Sequence, residues 1–530
     1  MNRVPRLIDT SGVLRWLPWV IIAMGAVLRI VRFLHDRALW GDESALALNL
    51  MHRSPRGLLE PLDFNQAAPV LFLLTEKLAG AALGYTGYAL RAVPLLAGLA
   101  SLILFWSVAR RILDPLGATV GLAFFAVSDP LVFYSAEVKQ YGLDLTLAML
   151  LLVLILPVLE GSWLTRWRAG ALGLFGVSAV WFSHPSVFLL AGVGLVLLGM
   201  AFLRPSRVKL VTVALLCTAW AVSFLISYLF VLPNTKTVQD ELSLAGGGAR
   251  AGETSILRQV LTQTWDSFSY PLGAAATATG LAAVAIVTGL LVLYRRNPAL
   301  TLTLAAPGVL AVGAALVNRY PWGDRFVLFL VPAVILLMSA GVDELRKRTW
   351  DRLPVVSIGV VTLLLAYPAA VSAKGLFKPP AIKRQEIKRS LSVLEAGWRR
   401  GDALYVHYVS QYALRYYAEC EECGTLEGWE ARLRGWDALT DVRPVPETVF
   451  EHALKSRPPD LIVGEGQRQS FEQLTRQLTP LRGRARVWLL FSTTTNQEFL
   501  LYLLDGWGRR LEVVTDPEVA LYLYDLRRAS

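Results

Sequence analysis

Eleven apolar stretches fill most of the sequence up to residue 372, and this pattern constrains the fold more than any other feature. A helix of about 20 apolar residues crosses the ~30 Å hydrocarbon core of a bilayer. The composition agrees, because 54% of the 530 residues are hydrophobic and 18% are charged, whereas soluble proteins carry about 25% charged residues. The predicted spans are 13–34, 88–109, 116–134, 141–159, 169–184, 186–203, 210–232, 273–293, 299–317, 325–342 and 353–372. The sequence therefore predicts a mostly α, polytopic membrane protein.

The stretch 68–84 is apolar but carries Glu76 and Lys77 at its middle. Charges at the centre of a bilayer are costly, so we interpret this stretch as a helix that lies in the membrane interface. Excluding it from the spans places the basic loops on one side, as the positive-inside rule requires. These loops include Arg110–Arg111, Arg295–Arg296 and Arg346–Lys347–Arg348. We therefore predict a multi-pass protein of the plasma or inner membrane with a cytoplasmic N-terminus. The same loops explain the net charge of +11 without nucleic acid.

Residues 376–530 differ from residues 1–375 because short β-rich runs alternate with helical segments there. The runs are 402–408, 460–464 and 486–491. Alternating strands and helices predict a small soluble α/β domain, which the charge pattern places on the extracytoplasmic side. Cys420 and Cys423 form a Cys-Glu-Glu-Cys motif in this tail. A lone motif of this kind is weak evidence for zinc, so a local disulfide and two free thiols remain alternatives.

Two acidic segments border predicted spans on the external side. Asp42 and Glu43 follow the first span, and Glu137 lies in the segment from Tyr134 to Tyr141. Asp42 could simply cap the helix that follows it, since carboxylates satisfy the free amides of a first helical turn. Other polar residues lie on the same predicted external face, and this grouping favours a chemical site at the membrane surface.

These segments together resemble the GT-C glycosyltransferases, and most nearly the family 39-like enzymes, which include protein O-mannosyltransferases and lipid A aminoarabinose transferases. The resemblance covers roughly residues 13–345. It is carried by the acidic pair, by a Pro-opened helix after Gln66, by the Tyr134–Tyr141 segment, and by a late segment from Arg319 to Phe326. The chain departs from the family pattern at Ala67-Ala68-Pro69 and at Lys139-Gln140-Tyr141. A lysine lacks the planar fork with which arginine grips phosphate.

The resemblance implies an enzyme that moves a sugar from a polyprenyl-phosphate donor to an acceptor hydroxyl, with inversion, on the extracytoplasmic side. The acceptor could be a lipid, a glycan or a protein. A carboxylate would accept the hydroxyl proton, and cations would stabilise the phosphate that leaves. We expect Asp42 to be the base, with Glu43 and Glu137 as further catalytic candidates. The expected substrate-binding residues are Lys139, Arg319, Arg325, Gln66, Tyr134 and Tyr141.

Simpler roles remain open for several of these side chains. Arg319 and Arg325 flank a span and could anchor it in the headgroups, and Lys139 could pair with Glu137 or Asp144. No cofactor is required by this chemistry, although the carboxylates could hold a divalent cation. A polytopic transporter or flippase for a glycolipid is the alternative function. The sequence does not favour it, because it lacks the internal repeats that many transporters show.

Overall fold

The structure is a computed structural model, and it describes residues 10–203, 207–247, 256–349, 354–377, 385–424, 426, 429, 461–464, 471–492 and 497–527. Residue 460, at the start of a predicted strand, lies outside these ranges. The described residues form two compact units. The membrane unit comprises the described residues of Met1–His35, Ala68–Phe72 and Arg91–Pro379. The loop–tail unit comprises those of Asp36–Ala67, Leu73–Leu90 and Pro380–Ser530.

Each predicted span overlaps at least one of the first fifteen described helices. They are α1 (Thr10–Leu34), α2 (Gly41–His52), α3 (Val70–Leu83), α4 (Gly87–Ile112), α5 (Pro115–Val127), α6 (Asp129–Tyr134), α7 (Tyr141–Leu159), α8 (Arg166–Phe182), α9 (Ser186–Leu203), α10 (Arg207–Gly247), α11 (Ile256–Asp266), α12 (Thr279–Arg296), α13 (Pro298–Leu316), α14 (Val331–Thr349) and α15 (Pro354–Phe377). A 3₁₀-helix, Asp324–Leu330, precedes α14.

Within the described ranges, nine helices are long and apolar enough to cross a membrane. The other two predicted spans are shorter helices, α5 with 13 residues and α8 with 17. The predicted span 116–134 is interrupted at Ser128, which is extended, and the chain restarts as α6 with Asp129-Pro130. Proline lacks an amide donor and disfavours helical geometry in the residue before it. The prediction of a polytopic α-helical membrane protein is confirmed.

Close helix crossings in the membrane unit depend on glycine. A Cβ at Gly289 of α12 would lie 1.8 Å from the carbonyl oxygen of Leu337, and one at Gly341 of α14 would lie 1.9 Å from that of Ala285. The two backbones therefore touch at reciprocal positions. Small residues allow such approach between membrane helices, where packing rather than the hydrophobic effect drives association.

The loop–tail unit contains a five-stranded sheet with the order β2-β1-β3-β5-β4. The strands are β1 (Ala403–Val406), β2 (Leu461–Val463), β3 (Val487–Phe491), β4 (Arg509–Asp516) and β5 (Val519–Asp525). Strands β2, β1 and β3 are parallel, and β3, β5 and β4 are antiparallel. The helices of the tail are α16 (Lys388–Gly397), α17 (Ser410–Glu419), α18 (Phe471–Leu478) and α19 (Gln497–Asp505).

The sheet has its own apolar core, which explains why the tail contains β-rich runs. Alternate residues of β1, β3 and β5 pack with α18 and α19; they include Ala403, Tyr405, Val487, Leu489, Phe491, Leu500, Leu504, Tyr522 and Tyr524. The predicted α/β fold of the tail is thereby confirmed. The boundary at residues 375 and 376 stays a prediction, since the second compact unit also contains residues from the first predicted external loop.

Candidate active site

Asp42 and Glu43 lie in the first turn of α2, where a carboxylate is stabilised by the free backbone amides and the helix dipole. The two side chains differ in environment. The side chain of Glu43 is fully buried and accepts a 2.7 Å salt bridge from Arg37 and a 3.4 Å hydrogen bond from the amide of Trp40. Asp42 is half-buried. Glu43 therefore closes the start of the helix, and Asp42 is the more accessible carboxylate.

The turn that holds Gln66 lies in the same unit as α2. Phe64 and Asn65 have φ values of 60° and 51°, a conformation that costs energy in residues other than glycine. Gln66 is buried and donates to the carbonyl oxygen of Phe64 at 3.2 Å. Asn49 of α2 donates to the carbonyl of Asp63 at 3.2 Å and accepts from its amide at 2.9 Å. The turn is thus a rigid feature beside α2.

The polar segment between α6 and α7 belongs to the membrane unit and is buried along its whole length, from Ser135 to Gln140. The side chain of Glu137 is 0% exposed and that of Lys139 is 5% exposed. Buried ionisable groups are costly and mark functional sites in membrane proteins. The burial of a charged loop at the mouth of a membrane helix agrees with the predicted site, although the roles of Glu137 and Lys139 stay predictions.

Aromatic rings surround the start of α7. The ring of Tyr134 packs edge-on against that of Tyr141 at 5.1 Å, and its hydroxyl forms a hydrogen bond with that of Tyr270. The guanidinium of Arg325 lies 5.9 Å from the centre of the Tyr141 ring, which is cation–π distance. Three predicted substrate-binding residues, Tyr134, Tyr141 and Arg325, therefore lie together. Arg319 is exposed at the surface of the protein.

Another tyrosine of the same unit is Tyr320, whose hydroxyl donates to the carbonyl of Phe326 at 2.7 Å. Burial raises the pKa of Tyr320 well above its usual value, and the nearby negative charge of Asp144 raises it further. Asp144, which sits one turn into α7, is buried. Tyr320 and Asp144 therefore belong to the same polar region as Tyr141 and Arg325.

An apolar cavity lies farther along α7, within the membrane unit. Its volume is about 20 Å³, close to the space that one water molecule needs. The cavity begins at Ala148, seven residues after Tyr141, which corresponds to about 10 Å along a helix. Its lining comes from α7, α9, α13, α14 and the 3₁₀-helix and includes Leu151, Val193, Leu304, Pro307, Phe329 and Leu330. Apart from Thr303, the residues that line the cavity are apolar.

Sequence reasoning missed Tyr270, Tyr320 and Arg37 as parts of these sites. Tyr270 follows a long loop and α11, so its distance along the chain from Tyr134 hid their contact. Arg37 could have been noticed as a basic residue six positions before Glu43. The two groups of site residues belong to different units, so the approach of Asp42 to Glu137 and Lys139 stays a prediction.

The acidic residues are the predicted ligands for a divalent cation. Among the described residues, no three His, Cys, Asp or Glu side chains form a group that could hold a metal ion. Glu43, a predicted oxygen donor, is engaged by Arg37. A divalent cation at the acidic residues stays a prediction.

Comparison with known proteins yields likeness in structure rather than in sequence. No sequence profile of a known family matches the chain, and no curated protein is similar to it in sequence. The oligosaccharyltransferase of Archaeoglobus fulgidus, in complex with zinc and sulfate, superposes with a TM-score of 0.51 and 10% identity, over 96% of this chain and 73% of the other. The same enzyme, AglB, in complex with an inhibitory peptide and a dolichol-phosphate, gives 0.51 and 10% over 96% and 74%.

A third solved structure is ArnT of Cupriavidus metallidurans bound to undecaprenyl phosphate, with a TM-score of 0.45, 14% identity, and coverage of 95% of this chain and 98% of the other. The AglB comparisons carry the structural conclusion, because their TM-scores are the higher. AglB has the GT-C fold. The chain described here therefore has the fold of these AglB structures, which is the GT-C fold that the short sequence motifs predicted.

Proposed function

We propose that this GT-C protein is a membrane glycosyltransferase that transfers a sugar from a polyprenyl-phosphate donor to an acceptor hydroxyl on the extracytoplasmic side, with inversion. The observation that carries the proposal is the unequal environment of the acidic pair. Asp42 is accessible at the start of α2, whereas its neighbour Glu43 is buried and paired with Arg37. A fold hosts many functions, so the chemistry of these side chains has to support the assignment.

Asp42 is suited to act as the general base. An alcohol is a weak nucleophile, and a carboxylate that accepts its proton as the new bond forms lowers the barrier. The acceptor oxygen attacks the anomeric carbon from the side opposite the phosphate, so one displacement inverts the configuration. The bond from the anomeric carbon to the phosphate oxygen breaks, and the lipid phosphate leaves with the electron pair. Glu43 would keep α2 in place rather than touch the acceptor.

Cations and an apolar surface suit a lipid phosphate as the leaving group. Lys139 and Arg325 carry the positive charge that would stabilise the phosphate, and Tyr141 packs beside Arg325. Arg319 is exposed, so we expect it to contribute less than Arg325. The apolar side chains that line the small cavity along α7 would contact part of the prenyl chain. The dolichol-phosphate of the AglB complex belongs to the same class of lipid.

The test uses the purified protein in lipid nanodiscs with a panel of short-chain polyprenyl-phosphate sugars and a membrane extract as the source of acceptors. Release of free polyprenyl phosphate is measured by mass spectrometry. We expect Asp42→Asn to lower the rate by about 10²–10⁴, the usual contribution of a general base. The matched control is Glu60→Gln, because Glu60 is an exposed carboxylate of the same loop, and we expect its rate to equal that of the wild type.

Binding of a fluorescent polyprenyl phosphate separates the cations from the base. Lys139→Met and Arg325→Met should weaken binding about tenfold or more, while Arg319→Gln should change it little, since charged hydrogen bonds are worth about 1.5–3 kcal/mol. Wild-type rates in Asp42→Asn would contradict the proposal. So would a wild-type protein that consumes no donor but moves the labelled lipid across a vesicle membrane, which is the behaviour of a flippase.

A further inference from the structure

We propose that the C-terminal tail positions the catalytic loop, and that Gln385 and Tyr417 are positioning residues for Asp42. The inference rests on the proposed function of Asp42 as the base. The catalytic loop is the segment Asp36–Gly41, which leads into α2. This segment and the tail both belong to the loop–tail unit. The tail is thus assigned a part in the reaction that its distance along the sequence does not suggest.

Side chains of the tail accept hydrogen bonds from three backbone amides immediately before Asp42. The amide of Ala38 donates to Glu386 Oε2 at 3.0 Å, that of Leu39 to the Tyr417 hydroxyl at 3.0 Å, and that of Gly41 to Gln385 Oε1 at 2.8 Å. The remaining amide of this stretch, that of Trp40, donates to Glu43. Every amide from Ala38 to Gly41 other than that of Trp40 is therefore satisfied by a residue more than 340 positions away.

The start of the segment is held in the same way. Lys388 Nζ donates to the carbonyl oxygen of Asp36 at 2.6 Å and lies 2.7 Å from its carboxylate. Gly41 is also in close contact with the tail, because a Cβ there would lie 3.1 Å from Cγ1 of Val409. A side chain at position 41 would press on the turn between β1 and α17.

The residues that hold the segment are themselves anchored to the sheet. The amide of Glu386 donates to the carbonyl of Pro517 at 3.2 Å, in the turn between β4 and β5. Ser390 donates to Asp516 at 2.9 Å. Tyr417 is buried on α17, which packs along α2. Through Glu386, the hydrogen bonds thus connect the catalytic loop to the turn between β4 and β5.

Backbone conformation supports a functional reason for this arrangement. Gln385 has a φ of 33° and Asp36 has a φ of 41°, both in the region that favours glycine. Such residues cost of order 1–3 kcal/mol and persist where the surrounding structure requires them. In a near-attack geometry, a displacement of about 1 Å can lower a rate by about 10². Correct placement of Asp42 would explain why Gln385 and Asp36 keep these strained conformations.

The experiment compares Tyr417→Phe and Gln385→Leu with the wild-type protein in nanodiscs. Each variant removes one acceptor from a buried amide and leaves Asp42 intact. We expect kcat for release of polyprenyl phosphate to fall about 10–100-fold, with KM for the donor changed by less than about twofold. Gln385→Glu keeps an acceptor oxygen and should restore kcat to within about threefold of the wild type. Tyr502→Phe, at an exposed tyrosine of the tail, should leave kcat unchanged.

Amide hydrogen exchange of peptides that cover residues 37–42 provides a readout that does not depend on activity. Faster exchange in Tyr417→Phe and Gln385→Leu, together with the fall in kcat, would support the proposal. Normal kcat in folded variants, or no rescue by Gln385→Glu, would overturn it. A wild-type protein inactive on every donor would overturn the proposed function, whereas unchanged exchange in an active protein would overturn the positioning role alone.

Discussion

His407, at the end of β1, is buried beside the ring of Phe491, with 6.0 Å between ring centres. Its Nδ1 has no hydrogen-bond partner within the described chain. Burial lowers the pKa of His407 to about 4. Since the unfolded value is about 6.5, the fold favours the neutral ring. The free energy of unfolding therefore has its full value above pH ~6.5 and decreases as the pH falls towards 4.

We therefore predict that the whole protein loses stability between pH 7 and pH 5, and that His407 accounts for about 2 kcal/mol of the loss. Denaturant unfolding in detergent at both pH values measures it. The variant His407→Leu should show a loss smaller by that amount, because its side chain does not titrate. Equal losses in both proteins would show that the ring is charged or solvated in the folded state.

Residue types were predictable at the candidate site, but their environments were not. The acidic pair and the cations were found from short motifs and from charges beside apolar stretches. Which carboxylate is accessible depends on Arg37, which pairs with Glu43. Lys77 looked costly in an apolar stretch, yet its Nζ donates to the carbonyl of Leu50 at 2.6 Å and so caps the end of α2. Such contacts require the folded backbone.

At the scale of elements, the crossing of α12 and α14 leads to a stability prediction. Gly289→Ala places a methyl group within 1.8 Å of a backbone oxygen, and the backbone cannot rotate away as a side chain could. We expect the free energy of unfolding to fall by about 1–3 kcal/mol or more. The thermal midpoint in detergent is the measurement.

The control for this prediction is on the same helix. Gly280→Ala adds a methyl group where nothing lies within 4 Å, so its thermal midpoint should match or exceed that of the wild type. Similar losses in both variants would mean that helix propensity or insertion, rather than close packing, sets the effect.

Apolar length predicted the membrane helices, because each membrane helix must satisfy its own backbone, but it did not predict α11, β4 or β5. The break at Ser128 was hidden by the surrounding apolar residues, although Asp129-Pro130 marks it in retrospect. The 3₁₀ geometry of Asp324–Leu330 could not be predicted from the sequence either.

In the tail, Cys420 and Cys423 form a disulfide, which decides between the two alternatives that their spacing left open.

At the scale of the whole molecule, the basic loops predict orientation. Fusion of alkaline phosphatase to the C-terminus should be active in a bacterial host, since the tail is expected outside the cytoplasm. A fusion after Arg111, in the basic loop between α4 and α5, should be inactive and provides the internal control. Activity of the second fusion and not of the first would reverse the predicted topology.

The GT-C fold could be recognised from the sequence because apolar spans and short loop motifs are local patterns. The grouping of residues 36–67 and 73–90 with the tail could not be recognised from the sequence. It depends on hydrogen bonds such as that from Gly41 to Gln385, which no local pattern records. A boundary drawn along the chain divides residues that fold together.

This pairing of early and late residues has a consequence for biosynthesis. Gly41 and Gln385 are 344 positions apart, and ribosomes add about 5–20 residues per second. Gln385 is therefore translated roughly 20–70 s after Gly41, and the amide of Gly41 lacks this partner until then. A chain released before residue 385 would reach the bilayer with its helices inserted and that loop still unfinished, a state that quality-control proteases could distinguish from the mature protein.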